Sequence, residues 1–200
     1  MDNKKLSFMI VAGELSGDQL GGSIVSILRK EYPNAKIFGV VGPKMLASGC
    51  EEIGNIDQLS VMGFVEVFKH LPRILRFKKY LVAEAIKLRP DVFIGIDSPD
   101  FNLRVAHSLK AVGIKTIQYV SPSVWAWRQG RIHGIKRSVD HVCCLFPFEV
   151  EFYKKHSQDA SFVGHPIATE FSLDIDKTKY KKDLGIFLQQ DILSKNINIA

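Results

Sequence analysis

One acidic turn carries the residue types best suited to moving a proton. Asp97, Asp100 and Asn102 follow the apolar run at residues 91–96, which is typical of a buried strand. A carboxylate at the mouth of such a strand is placed for general base catalysis, because partial burial raises its pKa toward neutrality. The alternative is that Asp97 or Asp100 caps the loop. Asn102 either bonds a substrate hydroxyl or caps the next helix, and we favour the cap.

A second acidic turn follows the apolar run at residues 6–12 and contains Glu14, Ser16, Gly17 and Asp18. Glycine lets a ligand approach the backbone closely, and the N-terminus of the helix that follows favours an anion. Ser16 or Asp18 is also a candidate N-cap for that helix. Glu14 has either a ligand-contacting or a structural role. The turn lacks the glycine spacing of a dinucleotide-binding loop.

An aromatic turn follows the apolar run at residues 115–120 and contains Ser121, Ser123, Trp125 and Arg128. Aromatic rings stack on the apolar faces of sugars, and arginine binds phosphate, so this turn is a candidate binding loop. The alternative is a packed aromatic corner.

His165 follows the last strand-like run of the chain. It is either a structural hydrogen-bonding residue or a contact to substrate.

The elements that must position these turns alternate between strand and helix patterns. Strands are predicted at residues 6–12, 36–41, 91–96, 115–120, 141–146 and 160–163. Helices are predicted at residues 17–30, 43–48, 61–88, 103–112, 128–139 and 148–155, with a break before Pro72. Alternation of this kind predicts βαβ units, an α/β fold and a mostly parallel sheet. Loops at the carboxyl ends of such strands bind ligands.

The helical segment near residue 61 is amphipathic. Its apolar stripe consists of Val61, Phe64, Val65, Phe68, Leu71 and Leu75. A neighbouring face carries the cations Lys69, Arg73 and Arg76. Such a face either lies in a membrane interface or packs on the sheet as an ordinary amphipathic helix does.

Composition limits the class of protein. The 200 residues are 46% hydrophobic and 24% charged, which is typical of a globular protein with a sizeable core. Three cysteines and the absence of a signal-like N-terminus predict a cytoplasmic location. The net charge of +6 favours anionic partners. Nucleic acid is disfavoured, because basic and aromatic residues do not interleave in a recognised pattern.

Together these segments resemble the lipid-A-disaccharide synthases, inverting glycosyltransferases of the GT-B type with two Rossmann domains. The matching segments are residues 11–18, 41–45, 61–67, 90–102, 119–128 and 145–149. The most specific are Gly-Ile-Asp-Ser-Pro-Asp-Phe-Asn at 95–102 and Trp-Ala-Trp-Arg at 125–128. The resemblance implies a Rossmann-like, doubly wound sheet that forms the N-terminal, acceptor-side domain of such an enzyme.

The resemblance also implies a reaction. UDP-2,3-diacylglucosamine donates its sugar to 2,3-diacylglucosamine 1-phosphate, and no metal or organic cofactor takes part. The family pattern indicates Asp97 as the base that deprotonates the acceptor, Asp100 as the fallback and Glu14 as a supporting residue. Both substrates carry acyl chains, so the amphipathic helix is expected to dock on the cytoplasmic face of the inner membrane.

The end of the chain departs from the family pattern. Residues 1–166 are expected to form the acceptor-side domain, and residues 167–200 a linker and the start of a nucleotide-binding domain. We therefore expect an isolated acceptor-side domain or the product of a truncated or split gene, with little or no activity alone. In a split gene, the C-terminal domain is separately encoded. The alternative is a non-catalytic, lipid-binding domain on a membrane surface.

Overall fold

Seven parallel strands form the sheet of the described part of the chain. The computed structural model describes residues 5–59 and 64–166, with only the helical backbone at 64–70. The strands are β1 (Ser7–Ala12), β2 (Lys36–Val41), β3 (Glu51–Asn55), β4 (Val92–Ile96), β5 (Lys115–Tyr119), β6 (His141–Cys144) and β7 (Ala160–Phe162). The helices are α1 (Leu15–Glu31), α2 (Pro43–Ala47), α3 (Phe64–Leu88), α4 (Pro99–Lys110), α5 (Ile132–Ser138) and α6 (Pro147–Lys155), with 3-10 turns at Ile56–Gln58 and Gln129–Arg131.

The strand order is β3-β2-β1-β4-β5-β6-β7, so the chain reverses its direction across the sheet between β1 and β4. Helix α1 packs against α2, while α3 and α5 both pack against α4. Right-handed crossovers on either side of the reversal put these two helix groups on opposite faces. This arrangement confirms the predicted doubly wound, Rossmann-like sheet.

The core lies in the central strands. Met9, Ile10, Phe93 and Ile96 are fully buried, and Phe38 is nearly so. Strands covered by helices on both faces have continuous apolar runs rather than alternating ones. For this reason the sequence predicted β1, β2 and β4 within one residue.

Strand β3 was missed because its sequence lacks an apolar run. Glu51 and Glu52 are exposed, and the strand pairs only with β2 at the edge of the sheet. An edge strand needs little apolar surface, and its charged side chains discourage pairing with other chains.

The largest differences from the predicted helix boundaries concern α1, α4 and the helix predicted at residues 128–139. Helix α1 begins at Leu15 rather than residue 17, and α4 begins at Pro99 rather than residue 103. Proline suits the first helical position, because its missing N–H would be unpaired there anyway. The helix predicted at residues 128–139 is a 3-10 turn followed by α5.

The break predicted before Pro72 is wrong, because α3 continues through this residue. A proline inside a helix removes one backbone hydrogen bond. The helix is secured beyond the proline by Phe77, Leu81 and Ala85, which are buried in the core. That packing outweighs the local preference of proline for a helix end.

The chain divides into two compact units, Met1–Gly164 and His165–Ala200. All the strands and helices described above lie in the first unit. The domain boundary expected after residue 166 stays a prediction.

Candidate functional site at the switch point of the sheet

The turns that follow β1 and β4 lie side by side, because Ala12 pairs with Ile96 at the ends of these adjacent strands. A Cβ atom at position 13 would lie 2.0 Å from Oγ of Ser98, so only glycine fits between the two turns. The exposed Glu14 and the partly buried Asp97 come next in each turn. The structure therefore brings together two of the three predicted catalytic residues at the place where α/β proteins bind ligands.

The carboxyl groups of Asp97 and Glu14 lie close enough for Glu14 to affect the pKa of Asp97. Burial raises the pKa of Asp97 above its ordinary value, and the backbone N–H of Ser98 offsets part of this effect. The charge of Glu14 and its hydrogen bond raise the pKa of Asp97 further. Raising the pKa of a carboxylate makes it a stronger base, as proton abstraction near neutral pH requires.

The backbone that carries Asp97 is strained. Asp97 and Ser98 have φ angles of 51° and 39°, both in the left-handed region. Each such residue other than glycine costs about 1–2 kcal/mol, and strain of this kind persists only where the surroundings hold it. We call residues 97–98 the Asp97 turn.

The buried side chain of Asn102 supports the Asp97 turn through hydrogen bonds to backbone carbonyls. Its Nδ2 donates to the carbonyls of Asp97 at 2.9 Å, Ile96 at 3.0 Å and Val11 at 3.3 Å. Asn102 is completely buried, so its side chain does not reach solvent. The prediction that Asn102 caps a helix is wrong, because α4 begins three residues earlier with Ser98 as its N-cap.

Gln118 is a second buried amide at the turn, and the sequence analysis missed it. Its Nε2 donates to Asp97 O at 3.0 Å and, at 3.3 Å, to Tyr119 O and Val120 O. The amide thus ties the ends of β4 and β5 together. The available signal was an amide side chain between Ile117 and Tyr119 in a run that the sequence predicts as a strand.

Asp18 and Ser16 do not cap α1. The N-cap is Glu14, and no side-chain bond caps the helix; Ser16 Oγ donates instead to Glu14 Oε1. Asp18 is buried and accepts hydrogen bonds from three backbone N–H groups at the start of α2, those of Gly42, Lys44 and Met45. It therefore caps the neighbouring helix, which sequence spacing alone did not show.

Gly17 is buried at the carboxyl ends of β1 and β4. A Cβ atom there would lie 3.5 Å from the Cβ of Ala12 and 3.6 Å from the carbonyl oxygen of Ile96. This residue packs α1 onto the sheet beside the carboxyl pair, and its backbone faces the protein interior.

The aromatic turn after β5 is partly packed and partly exposed. Trp125 Nε1 donates to Glu149 Oε1 at 3.1 Å, and the buried Ser121 Oγ donates to Tyr153 Oη at 3.1 Å. These contacts fix the turn to α6, as the packed-corner alternative predicts for Trp125. Ser123 remains exposed.

Trp127 and Arg128 form the exposed end of the same turn. The Trp127 side chain is 59% exposed, and the Arg128 guanidinium lies 4.5 Å from its ring centroid. This stacked tryptophan–arginine pair lies beyond the carboxyl end of β5. It offers a ligand both a flat apolar surface and a positive charge. We call residues 120–128 the tryptophan turn.

Asp100 lies outside the carboxyl pair. Its side chain is 81% exposed and forms an ion pair with Arg131. Asp97, the expected base, and Asp100, the fallback, therefore lie in different surroundings.

His165 belongs to the second unit of the chain, and its contact with substrate stays a prediction.

Of the residues predicted to contact a membrane, Leu71 and Leu75 are each 40% exposed, and Arg73 and Arg76 are exposed beside them. Val61 lies outside the described residues. The side chains of Phe64, Val65, Phe68 and Lys69 lie outside the described part of α3 as well. Among the described residues, no helix is both long and apolar enough to cross a bilayer.

The fold resembles that of a solved structure, Anabaena HepE in complex with UDP and glucose. The TM-score is 0.51 at 10% sequence identity, over 91% of this chain and 50% of that one. The doubly wound sheet, with its acidic turns at the switch point, is the Rossmann-like half of a GT-B glycosyltransferase fold. Residues 8–195 match the family model described as Lipid-A-disaccharide synthetase, and the chain belongs to this family.

Curated relatives agree with this assignment. The lipid-A-disaccharide synthase of Pseudoalteromonas translucida is 52% identical over 193 residues, which cover 96% of this chain and 50% of the relative. That of Idiomarina loihiensis is 51% identical over 92% of this chain and 48% of the relative. The chain thus spans about half the length of the curated relatives it matches.

Proposed function

We propose that this chain supplies the acceptor-side half of a lipid-A-disaccharide synthase. The reaction transfers 2,3-diacylglucosamine from its UDP derivative to 2,3-diacylglucosamine 1-phosphate. The observation that carries the proposal is the Asp97–Glu14 carboxyl pair at the switch point of a chain that belongs to this family.

In the proposed mechanism, Asp97 accepts the proton of the acceptor's 6-hydroxyl. The hydroxyl oxygen then forms the new bond to the anomeric carbon of the donor, while the bond to UDP breaks and UDP leaves with the electron pair. The raised pKa of Asp97 favours this transfer, because a base is most effective when its pKa lies near the working pH. Its fixed backbone supports a constant position for the carboxylate.

Glu14 is proposed to support Asp97. Its charge and its hydrogen bond both raise the pKa of Asp97, so it makes the neighbouring carboxylate more basic without taking the proton itself. Asp100 is the weaker candidate for the base, because its carboxylate is occupied by the Arg131 guanidinium.

We also propose that the start of the described part of α3 contacts the cytoplasmic face of the inner membrane. Leu71 and Leu75 expose apolar surface beside Arg73 and Arg76, a combination that suits the interface of an anionic bilayer. Beyond Arg76 the helix buries Phe77 and Leu81 in the core, so this helix connects the proposed membrane contact to the sheet.

The competing proposal is a non-catalytic domain that binds a lipid surface. The exposed leucines and arginines of α3 are as expected for it. It does not explain a carboxylate held on strained backbone with a raised pKa.

The decisive experiment measures sugar transfer from UDP-2,3-diacylglucosamine to 2,3-diacylglucosamine 1-phosphate. The chain is assayed alone and with the complementary half of the Pseudoalteromonas translucida relative. We expect transfer in the mixture and a loss of about 100-fold to 10,000-fold in Asp97→Asn, the usual contribution of a general base. Asp159→Asn, which changes an exposed acid beside β7, is the matched control.

Thermal unfolding separates chemistry from folding in this test. The fold raises the pKa of Asp97, so ionised Asp97 destabilises the folded state above the ordinary aspartate pKa. Asp97→Asn should therefore melt at the same or a higher temperature than the wild type at neutral pH. Transfer by this variant within tenfold of the wild type would refute the mechanism, and vesicle binding without any transfer would favour the non-catalytic domain.

A further inference from the structure

A basic cleft lies between α4 and α5, next to the Asp97 turn. Its volume is about 550 Å³, within the range of small-molecule sites. Its charged and imidazole-bearing lining residues are Lys78, Arg104, Arg131, Arg137, His107, His133 and Asp100. The lining of the cleft therefore contains four lysine or arginine side chains, which are charged at neutral pH, and one carboxylate.

Three of these cations are free to bind an anion. Arg131 is paired with Asp100. Within the described part of the chain, Lys78, Arg104 and Arg137 form no ion pair with any acidic side chain. Like charges brought together without counterions repel one another, so the cleft gains most from a ligand that carries more than one negative charge.

The two walls of the cleft are held at a fixed separation. His107 Nδ1 on α4 donates to the carbonyl oxygen of Arg137 on α5 at 3.3 Å. The ion pair between Asp100 and Arg131 joins the same two walls nearer the start of α4. A cleft with fixed walls binds a ligand without first having to be ordered.

Gly134 lines the floor of the cleft, the part formed by the backbone of α5, and leaves it without a side chain. It lies inside α5, where glycine disfavours the helix, and a Cβ atom there would have no neighbour within 4 Å. Packing therefore does not require glycine at this position. Since Gly134 lines the cleft, its missing side chain leaves the helix backbone open to a ligand.

We propose that the basic cleft binds the phosphate monoester of the acceptor, an inference that rests on the proposed function. A phosphate monoester carries about two negative charges, which suits a site where three cations form no ion pair with any described acidic side chain. Pro99 and Asp100 line the cleft and directly follow the Asp97 turn. A sugar anchored here by its phosphate therefore lies next to the segment that carries the base.

The test measures binding of glucosamine 1-phosphate to the full 200-residue chain by calorimetry. The cleft variant is Arg104→Gln with Arg137→Gln. The control is Lys30→Gln with Lys155→Gln, which removes the same charge from exposed positions outside the cleft. We expect affinity at least tenfold weaker in the cleft variant and within twofold of the wild type in the control. Equal losses in the two variants would refute a specific site.

Gly134→Ala provides a test that misfolding cannot mimic. Alanine favours the helix, so this variant should melt at the same or a higher temperature than the wild type. We expect its affinity for glucosamine 1-phosphate to fall severalfold, because the added methyl group occupies the cleft floor. Unchanged affinity would refute the proposed contact with the floor.

Two further ligands distinguish the sources of phosphate. Inorganic phosphate should bind more weakly than glucosamine 1-phosphate and lose affinity in the same cleft variant. Vesicles containing phosphatidylglycerol, compared with pure phosphatidylcholine, test a membrane headgroup instead. Binding that depends on the cleft for these vesicles but not for glucosamine 1-phosphate would overturn the assignment to the acceptor.

The outcome is separable from the test of the proposed function. Asp97→Asn should bind glucosamine 1-phosphate as the wild type does while it loses transfer. Transfer that depends on Asp97 but is unaffected by the cleft variant would refute the cleft proposal and leave the proposed function standing.

Discussion

The Asp97 turn and the tryptophan turn lie at the ends of neighbouring strands, yet they are held by different means. Both begin with a left-handed residue, Asp97 at φ 51° and Val120 at φ 72°. The Asp97 turn is fixed through the backbone carbonyl of Asp97, which accepts hydrogen bonds from the buried amides of both Asn102 and Gln118. The tryptophan turn is fixed to α6 through the side chains of Ser121 and Trp125, and Gln118 reaches only its first carbonyl, that of Val120.

This difference matches what each turn is proposed to do. A base must be held within hydrogen-bond distance of the group that it deprotonates, and backbone anchoring keeps that position constant. A surface that binds a sugar or a lipid by stacking depends on how much of its side chains is exposed. It depends less on holding each atom at one exact position. The tryptophan turn accordingly leaves Trp127 and Arg128 exposed at its far end.

The largest effect is expected from Asn102→Ala. This change removes the donor shared by three carbonyls, and buried carbonyls without partners are costly. We expect the free energy of unfolding to fall by about 2–4 kcal/mol in chemical denaturation. Ser123→Ala in the exposed part of the tryptophan turn is the control, with an expected change below about 0.5 kcal/mol. A similar loss in both variants would contradict the difference between the turns.

A smaller effect is expected from Glu149→Gln, which weakens the anchor of the tryptophan turn. Glu149 is buried, and it accepts hydrogen bonds from Trp125 Nε1 and Phe146 N, both at 3.1 Å. Glutamine retains one acceptor oxygen, so we expect a loss of about 1–2 kcal/mol of unfolding free energy. A shift in tryptophan fluorescence should accompany it.

Glu151→Gln is the matched control, since its carboxylate is exposed and forms a surface ion pair with Lys154. A loss in Glu149→Gln as large as that in Asn102→Ala would show that both turns depend equally on their anchors.

The smallest effect is a shift in pH dependence caused by Glu14→Gln. As a base, Asp97 loses activity as the pH falls through its pKa, which lies above the ordinary value of about 3.9. Removing the charge of Glu14 lowers the pKa of Asp97, so the acid limb of the rate profile should move to lower pH. Glu52→Gln, an exposed acid on β3, should leave the limb in place. A limb that stays in place in Glu14→Gln would mean that the two carboxyl groups are not coupled.

Elements with continuous apolar runs were predictable from the sequence. Strands β1, β2 and β4 are buried on both faces, so their patterns predict them directly. Strand β3 escaped because it lies at the edge and carries exposed glutamates. The break at Pro72 was wrong because packing of Phe77 and Leu81 outweighs a local preference.

The acidic residues of the site were predictable from the sequence, but the buried side chains that hold the surrounding backbone in place were not. Asp97 and Glu14 stand out as polar residues after apolar runs. The roles of Asn102, Gln118 and Asp18 depend on contacts between residues far apart in sequence, and local spacing predicts only local caps. The sequence therefore favoured a helix cap for Asn102 at the wrong position, and it offered Asp18 as a cap for the wrong helix.

The hydrogen bond from Asn102 to Val11 joins residues 91 positions apart in the chain. Contacts of such long range form late in folding, because the intervening loop must first be closed. The turn that carries Asp97 is therefore not expected to hold its shape in a growing or partly folded chain. The carboxyl group of Asp97 takes up its position only when β4 has paired with β1. The proposed base is therefore expected to be functional only after the central sheet has formed.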